Sequence, residues 1–439
     1  MMLAPLANAA EPHINSTRHL TNIPEPLTKA DFRQSDMKKV RLGRMLFYDP
    51  ILSGNRNISC GTCHAVEHGT SDGLSLGIGQ GGHGVGPDRK ALDRAKIRKR
   101  IPRNSPALWN LGAKEITVLF HDGRVSVSDR YGNGFDTPAE EWLPNELDNV
   151  LAAQALFPLT SQFEMAGNPK ENEVAGAAKS RIDYVWPILA KRVRNVPEYQ
   201  SAFLSAFSDI KQPSKINIAH IANALSAFMA FEWQSLDSPF DDWLLGNELA
   251  LNNQQMAGLE VFFGKGRCST CHSGKLFSDN KFYALAVPQF GPGRTRRFDP
   301  YVRDVGRMGE TDRLEDAYRF RTPSLRNVAL TAPYGHNGAF ETLEGIIRHH
   351  LNPVHSFQNW QPEQANLSTI PWLQEIDFIV YDDARERGRL LSRVDIEPVE
   401  LRDGEVIALV TFLNSLTGSK SRSGRLGKPK TVPSGLQVD

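Results

Sequence analysis

Cys60-Gly61-Thr62-Cys63-His64 returns 208 residues later as Cys268-Ser269-Thr270-Cys271-His272. Each is a Cys-x-x-Cys-His run, the attachment signature of c-type haem, in which two thioethers hold the porphyrin and the His ligates iron. The two runs use all 4 cysteines of the chain. A redox dithiol has no need of the following His, and a zinc site built from the four cysteines leaves two adjacent histidines unexplained. With 12 His in 439 residues, a His after both pairs by chance is on the order of one in a thousand. The reading is two covalently bound haem c groups, one on Cys60, Cys63 and His64, the other on Cys268, Cys271 and His272.

Working outward, the length suits two domains of ordinary size. With 51 basic and 50 acidic residues the formal charge is +1, so no global field points to nucleic acid or a membrane surface. Covalent haem implies an oxidising compartment outside the cytoplasm. Residues 1–10, with Ala7-Asn8-Ala9 as a cleavage box, read as a signal-peptide remnant, non-native leader sequence being the alternative. No apolar run approaches membrane-spanning length.

Residues 11–30 read as an extended N-terminal arm. Apolar positions Val40, Leu42, Met45, Leu46 and Phe47 predict a helix that ends at Tyr48-Asp49-Pro50. Another stripe, Ile218, Ile221, Ala222, Leu225, Phe228 and Met229, predicts core. Met256, Leu259 and Phe263 lead into the second haem run. Val406, Ile407, Val410, Leu413 and Leu416 predict an inward face ending near Gly418. Few stretches alternate with period two, so the fold is expected to be mainly α. Residues 69–87 are dense in Gly, as backbone passing close to a large flat ligand would require. The basic run 89–103 reads as a solvated face, or as a docking patch for an acidic partner. The Gly/Ser/Pro-rich basic residues 419–439 are expected to be disordered.

The two halves echo each other. Arg103-Asn104-Ser105-Pro106 and Phe120-His121-Asp122-Gly123 follow the first run; Arg321-Thr322-Pro323-Ser324 and Gly335-His336-Asn337-Gly338 follow the second. A duplicated one-haem helical domain explains this order, with domains at 31–245 and 246–418. The echo also allows His121 and His336 to be scaffold residues of the same turn.

On these residues, from Leu42 to Gly418, the chain resembles the bacterial di-haem cytochrome c peroxidase / MauG family. The resemblance implies two tandem cytochrome c-like domains with a calcium ion between the haems, which Asn104 and the carbonyls of Thr331 and Pro333 would hold; oxygen ligands suit that hard cation. It also implies peroxide chemistry on the N-terminal haem. Gln154 and Glu164 match the family's distal segment, Glu164 as the acid–base and Gln154 orienting peroxide or a water.

Three departures separate the chain from the plain peroxidases. The loop His that ligates their N-terminal iron is Gln80 here, which would leave that iron open, with His83 near enough to substitute. The family's Met or Tyr ligand to the C-terminal haem falls at His350, with Met308 and His349 as alternatives; Ile346, Ile347, His350 and Leu351 share a helical face. The Trp between the family's haems aligns with His121.

The resemblance therefore implies a MauG-like enzyme that reacts with hydrogen peroxide and oxidises a partner protein or donor. The alternatives are a cytochrome c peroxidase fed by a small cytochrome or copper protein, and a di-haem electron carrier or peroxide sensor. Family members are often dimers, which leaves a homodimer open.

Overall fold

The computed structural model describes residues 20–91, 93–94, 97–294 and 303–439. The expected signal remnant and the start of the arm, residues 1–19, lie outside them. The chain is mainly helical, with short antiparallel ribbons only: 82–83 with 90–91, the three strands 118–119, 125–127 and 135–136, and 282–283 with 320–321.

Two helix crossings organise the two hydrophobic cores. Helix Met37–Tyr48 starts at an Asp36 cap whose side chain accepts from Lys38 N, satisfying one of the free N–H groups of the first turn. It crosses helix Ile218–Glu232, where Gly43 lies directly on Ala224 O and Phe228. Phe47 and Phe228 pack four residues further along each helix, ring centroids 5.4 Å apart at 55°. In the second core, helix Asn253–Phe263 crosses helix Asp403–Asn414 in the same way. Gly258 lies on Ala408 O and Phe412, and Phe262 meets Phe412 at 5.3 Å and 55°. A side chain at either glycine would force the helices apart, so the backbone approach depends on having none.

The predicted stripe from Ile218 to Met229 is buried throughout. On the last helix, Val406 and Leu413 face inward as expected, whereas Ile407 is 49 % exposed and Leu409 and Phe412 fill the core. Phe240 is fully buried in the second core, ahead of the expected boundary at 246. The arm joins the halves: Leu20 and Ile23 pack on the second core, Leu27 belongs to the first, and Asp31 pairs with Lys275 Nζ at 2.8 Å.

Two expectations are corrected. Residues 419–439 are not a free tail. Buried Glu232 accepts from the backbone N–H groups of Arg425, Leu426 and Gly427, Ser434 Oγ donates to Asp49 at 2.7 Å, and Val432 enters the first core. Composition missed this because few apolar residues suffice when backbone groups find buried carboxylates. The basic run is only in part a solvated face: Lys90, Arg94 and Arg98 are exposed, but three of its arginines are buried. Arg89 is buried and donates to the carbonyls of Ile78, Gly84 and Gly79. Arg100 is fully buried against Asp377 at 2.8 Å. Arg103 bridges Asp122 at 2.6 Å and Asp304 at 2.7 Å. Three of its cations are internal ties, a role that charge spacing alone cannot reveal.

The echoed turns exchange contacts across the seam. From the first half, His121 O accepts from Arg321 N at 2.7 Å, and the carbonyls of Asp122 and Gly123 accept from Arg307. From the second half, His336 O accepts from Asn104 N at 2.9 Å and Gly338 O from Ser75 Oγ at 2.6 Å. The seam is polar and locked from both sides.

Candidate haem sites

At the first run, Ser59 N donates to Thr62 Oγ1 and His64 N to Cys60 O, folding Cys60–Cys63 into one helical turn. His64 Nδ1 lies 2.9 Å from Thr70 O. A proton on Nδ1 donated to that carbonyl leaves Nε2 as the free lone pair. The Arg103–Asn110 segment holds the turn: Ser105 Oγ donates to Cys63 O, Leu108 N to Thr70 Oγ1 and Trp109 Nε1 to Gly69 O.

The second run repeats this. His272 N donates to Cys268 O, and His272 Nδ1 lies 3.0 Å from Phe277 O. Burial pushes His272 down to about 4 and lowers His64 and His350 as well. All three imidazoles are therefore neutral at pH 7, the form that binds a metal.

The far sides differ. Helix Leu343–Leu351 brings His350 opposite His272, ring centroids 6.4 Å apart. His350 Nδ1 is taken by Ile346 O at 2.8 Å, so its Nε2 is also free. With a metal–nitrogen bond of about 2.0 Å on each side and each nitrogen about 1.1 Å from its ring centre, imidazoles across one metal ion sit about 6.2 Å apart. The pair fits a six-coordinate haem iron. His349 is the fully buried neighbour, its Nε2 2.7 Å from Leu285 O and its ring against Phe340. Met308 packs on the edge of the second core.

Gln80 and Glu164 come together through their backbones. Gln80 N donates to Glu164 O at 2.8 Å, and Gly79 lies flush on the carbonyls of Phe163 and Glu164. Residues 162–166 form a wide turn closed by Gly167 N on Gln162 O. Burial raises the Cys63 thiol, with the Asp72 and Glu164 charges adding to it, and burial lowers Arg124 to about 10, with Asp122 and Glu164 opposing. The Gln80 amide nitrogen donates to Asn57 Oδ1 at 2.7 Å, while its Oε1 is buried without a partner. Gln154 is half-buried on helix Val150–Ala155, and among the described residues no hydrogen bond joins its amide to Glu164. His83 is exposed on a surface ribbon beside Lys90.

A second observation bears on haem. Partly buried Arg321 donates to Phe120 O, Thr322 O and Asn280 Oδ1, and desolvation lowers it to about 10. Arg89 has carbonyl partners only and is lowered likewise. A buried guanidinium without a hydrogen-bonded carboxylate is costly, and haem brings propionates. Sequence spacing did not single out either role.

Two of the calcium candidates, Asn104 and Pro333, share one neighbourhood. Asn104 Nδ2 donates to Leu74 O, Ser75 lies against Gly338, and Gly338 lies against Pro333. His121 Nε2 is 3.1 Å from Asn104 O, so its ring is tied to the seam. Among the described residues no group of three His, Cys, Asp or Glu side chains could hold a metal; a cation here would take amide and carbonyl oxygens.

Residues 37–249 match the sequence model of a family described as di-haem cytochrome c peroxidase. Cytochrome c551 peroxidase of Pseudomonas aeruginosa is 30% identical over 346 residues, 78% of this chain and 80% of that protein. The chain belongs to this family. It is a haem enzyme of the di-haem peroxidase class, MauG-like in its relatives as well. The methylamine utilization protein MauG of Methylorubrum extorquens is 28% identical over 346 residues, 79% of this chain and 77% of that one. Among solved structures, a MauG-like protein associated with microbial copper homeostasis shares the fold at 24% identity, with TM-score 0.57 over 91% of this chain and 94% of that one. So does the diheme peroxidase BthA from Burkholderia thailandensis, at 21% identity, TM-score 0.57 and 89% and 88% coverage. No helix among the described residues is long and apolar enough to cross a membrane.

Proposed function

We propose that this di-haem peroxidase is a MauG-like periplasmic enzyme that cleaves hydrogen peroxide at His64 and oxidises a partner protein or donor. Two tandem cytochrome c-like domains each carry one haem through two thioethers, and Asn104, Thr331 and Pro333 hold a calcium ion at the seam. His350, 6.4 Å from His272, supports a six-coordinate second haem, and the Gln80–Glu164 backbone contact in the loop that lacks an imidazole supports an open first one. Bound at His64, haem supplies the iron at which the peroxide O–O bond breaks and the oxidising equivalents are held.

The chain's own groups manage protons and position. The Glu164 carboxylate takes the proton from the inner peroxide oxygen and returns it to the outer one, so that water leaves. Gln154 orients the peroxide. Gln80, anchored to Asn57 and Glu164 O, keeps the loop in place without supplying an imidazole. His272 and His350 hold the second haem as the relay for the other equivalent. The runner-up, a peroxidase fed by a small cytochrome or copper protein, is supported by the names of the curated relatives.

The ferric protein should give one high-spin and one low-spin haem spectrum. Glu164→Gln should slow the peroxide-induced spectral change by about a hundredfold or more, since positioned acid–base groups contribute that much. Two low-spin haems, or a Glu164→Gln variant as fast as the parent, would overturn the reading. Rapid consumption of reduced cytochrome c without prior activation would favour the runner-up.

A further inference from the structure

We propose that Tyr283, with Asp279 as its proton acceptor, is a one-electron relay between the Cys271 edge of the second haem and the protein surface. The inference rests on the function proposed above and adds the route by which electrons enter.

Tyr283 lies on the short ribbon that follows the second haem run, paired with Phe320. Its phenolic O–H donates to Asp279 Oδ2 at 2.8 Å, and it lies beside the Cys271 thiol, each acting on the other's charge. That thiol stands in for the thioether of the loaded protein. A thioether is a weak acceptor, so the phenolic proton stays with Asp279. The carboxylate is itself built onto the haem run: Asp279 N donates to Cys271 O at 2.9 Å and Oδ1 accepts from Lys281 N at 2.9 Å. Tyr283 and Asp279 are both partly exposed.

Other phenols with acceptors sit elsewhere. Tyr199 donates to Asp49, Tyr381 to Trp360 O and Tyr334 to Val328 O, all buried. Among the described residues Tyr283 alone combines a carboxylate acceptor, contact with a haem-bearing cysteine and partial exposure.

A phenol gives up an electron readily only when its proton can leave with it, and a positioned base within hydrogen-bond reach takes that proton. Burial and Asp279 hold the phenol well above its ordinary value, so it carries that proton at neutral pH. One electron passes from the ring towards Cys271 while the Oη proton moves to Asp279 Oδ2, leaving a neutral tyrosyl. An external donor returns one electron and the proton moves back. Two passes match one peroxide, since H2O2 with two electrons and two protons gives two waters.

The test uses the haem-loaded protein and peroxide. Freeze-quenched samples without donor should show a tyrosyl signal by electron paramagnetic resonance. Tyr283→Phe should lose it, and Asp279→Asn, which keeps an acceptor oxygen but cannot be protonated, should weaken it. Re-reduction by a reduced small cytochrome c should slow by about tenfold or more in both variants, with the initial peroxide step unchanged. A Tyr283→Phe protein that reacts with peroxide and keeps both the signal and the re-reduction rate overturns the relay and spares the peroxide reading. A parent protein inert to peroxide overturns both.

Discussion

Around Cys60–His64 the imidazole lies 2.9 Å from Thr70 O, and the flanking helices cross at Gly43 and Phe228. Around Cys268–His272 the imidazole lies 3.0 Å from Phe277 O, and the helices cross at Gly258 and Phe412. The near sides are copies. On the far side of the second run His350 stands on helix Leu343–Leu351, ring centroid 6.4 Å from that of His272; under the proposed function the first run meets the Gln80–Glu164 loops instead, which are joined by Gln80 N on Glu164 O. The repeated scaffold would then hold both haems alike, and the element laid opposite would decide what each iron meets.

The largest expected effect comes from exchanging that opposite element. His350→Ala should convert the second haem from low-spin to high-spin, while His349→Ala should not, because it is the His350 ring that stands 6.4 Å from His272, with His349 packed against Phe340. Gln80→His runs the comparison the other way and should add a low-spin fraction at the first haem. Absorption and magnetic resonance spectra of the ferric proteins check both; a His350→Ala spectrum identical to the parent would mean another residue ligates that iron.

Much of this contrast was legible in the chain. The haem runs, the stripe from Ile218 to Met229 and the echoed turns are local patterns, and local patterns survive reading one residue at a time. What was missed depends on distant partners. His349 and His350 are adjacent, and periodicity placed only one of them inward; the structure buries His349 because Leu285, 64 residues away, accepts from it. Arg100 looks like surface charge until Asp377 is seen beside it. The tail looks disordered until Glu232 and Asp49 are placed beneath it.

The seam, like the haem sites, holds buried histidines that set a response to pH. Burial lowers His336 to about 3 and His121 to about 4. The unfolded chain binds these protons below about pH 6.5 and the folded one does not, so stability should fall as pH drops from there towards 4, by roughly 3 kcal/mol per group. Asp72 works in the opposite sense. Burial raises it to about 7, so its contribution is present at low pH and lost as pH rises from about 4 to 7. Asp72→Asn should therefore steepen the acid loss. Denaturant midpoints measured at pH 7, 5.5 and 4 check the sign; a parent protein more stable at pH 4 than at pH 7 would contradict it.

The helix crossings let the two near sides be broken one at a time. Gly43→Ala and Gly258→Ala each put a methyl into a facing carbonyl, and overpacking of this kind costs about 2 kcal/mol. Hydrogen exchange should speed up in helices 37–48 and 218–232 for the first variant, and in 253–263 and 403–414 for the second. Equal loosening of both cores by either variant would show that the halves do not unfold separately.

The smallest expected effect tests the tie between the C-terminal segment and the first half. Ser434 ties the C-terminal segment to Asp49, where Tyr199 Oη and Ile51 N also donate. Ser434→Ala removes one bond to a buried carboxylate that keeps its other donors, so the loss should be about 1 kcal/mol, not the full cost of an orphaned charge. Because Asp49 ends the helix that carries Gly43, the loss should appear in the first core alone: faster exchange at 37–48 with 253–263 unchanged. An equal response in both helices would mean that the segment braces the whole molecule and not the first haem domain.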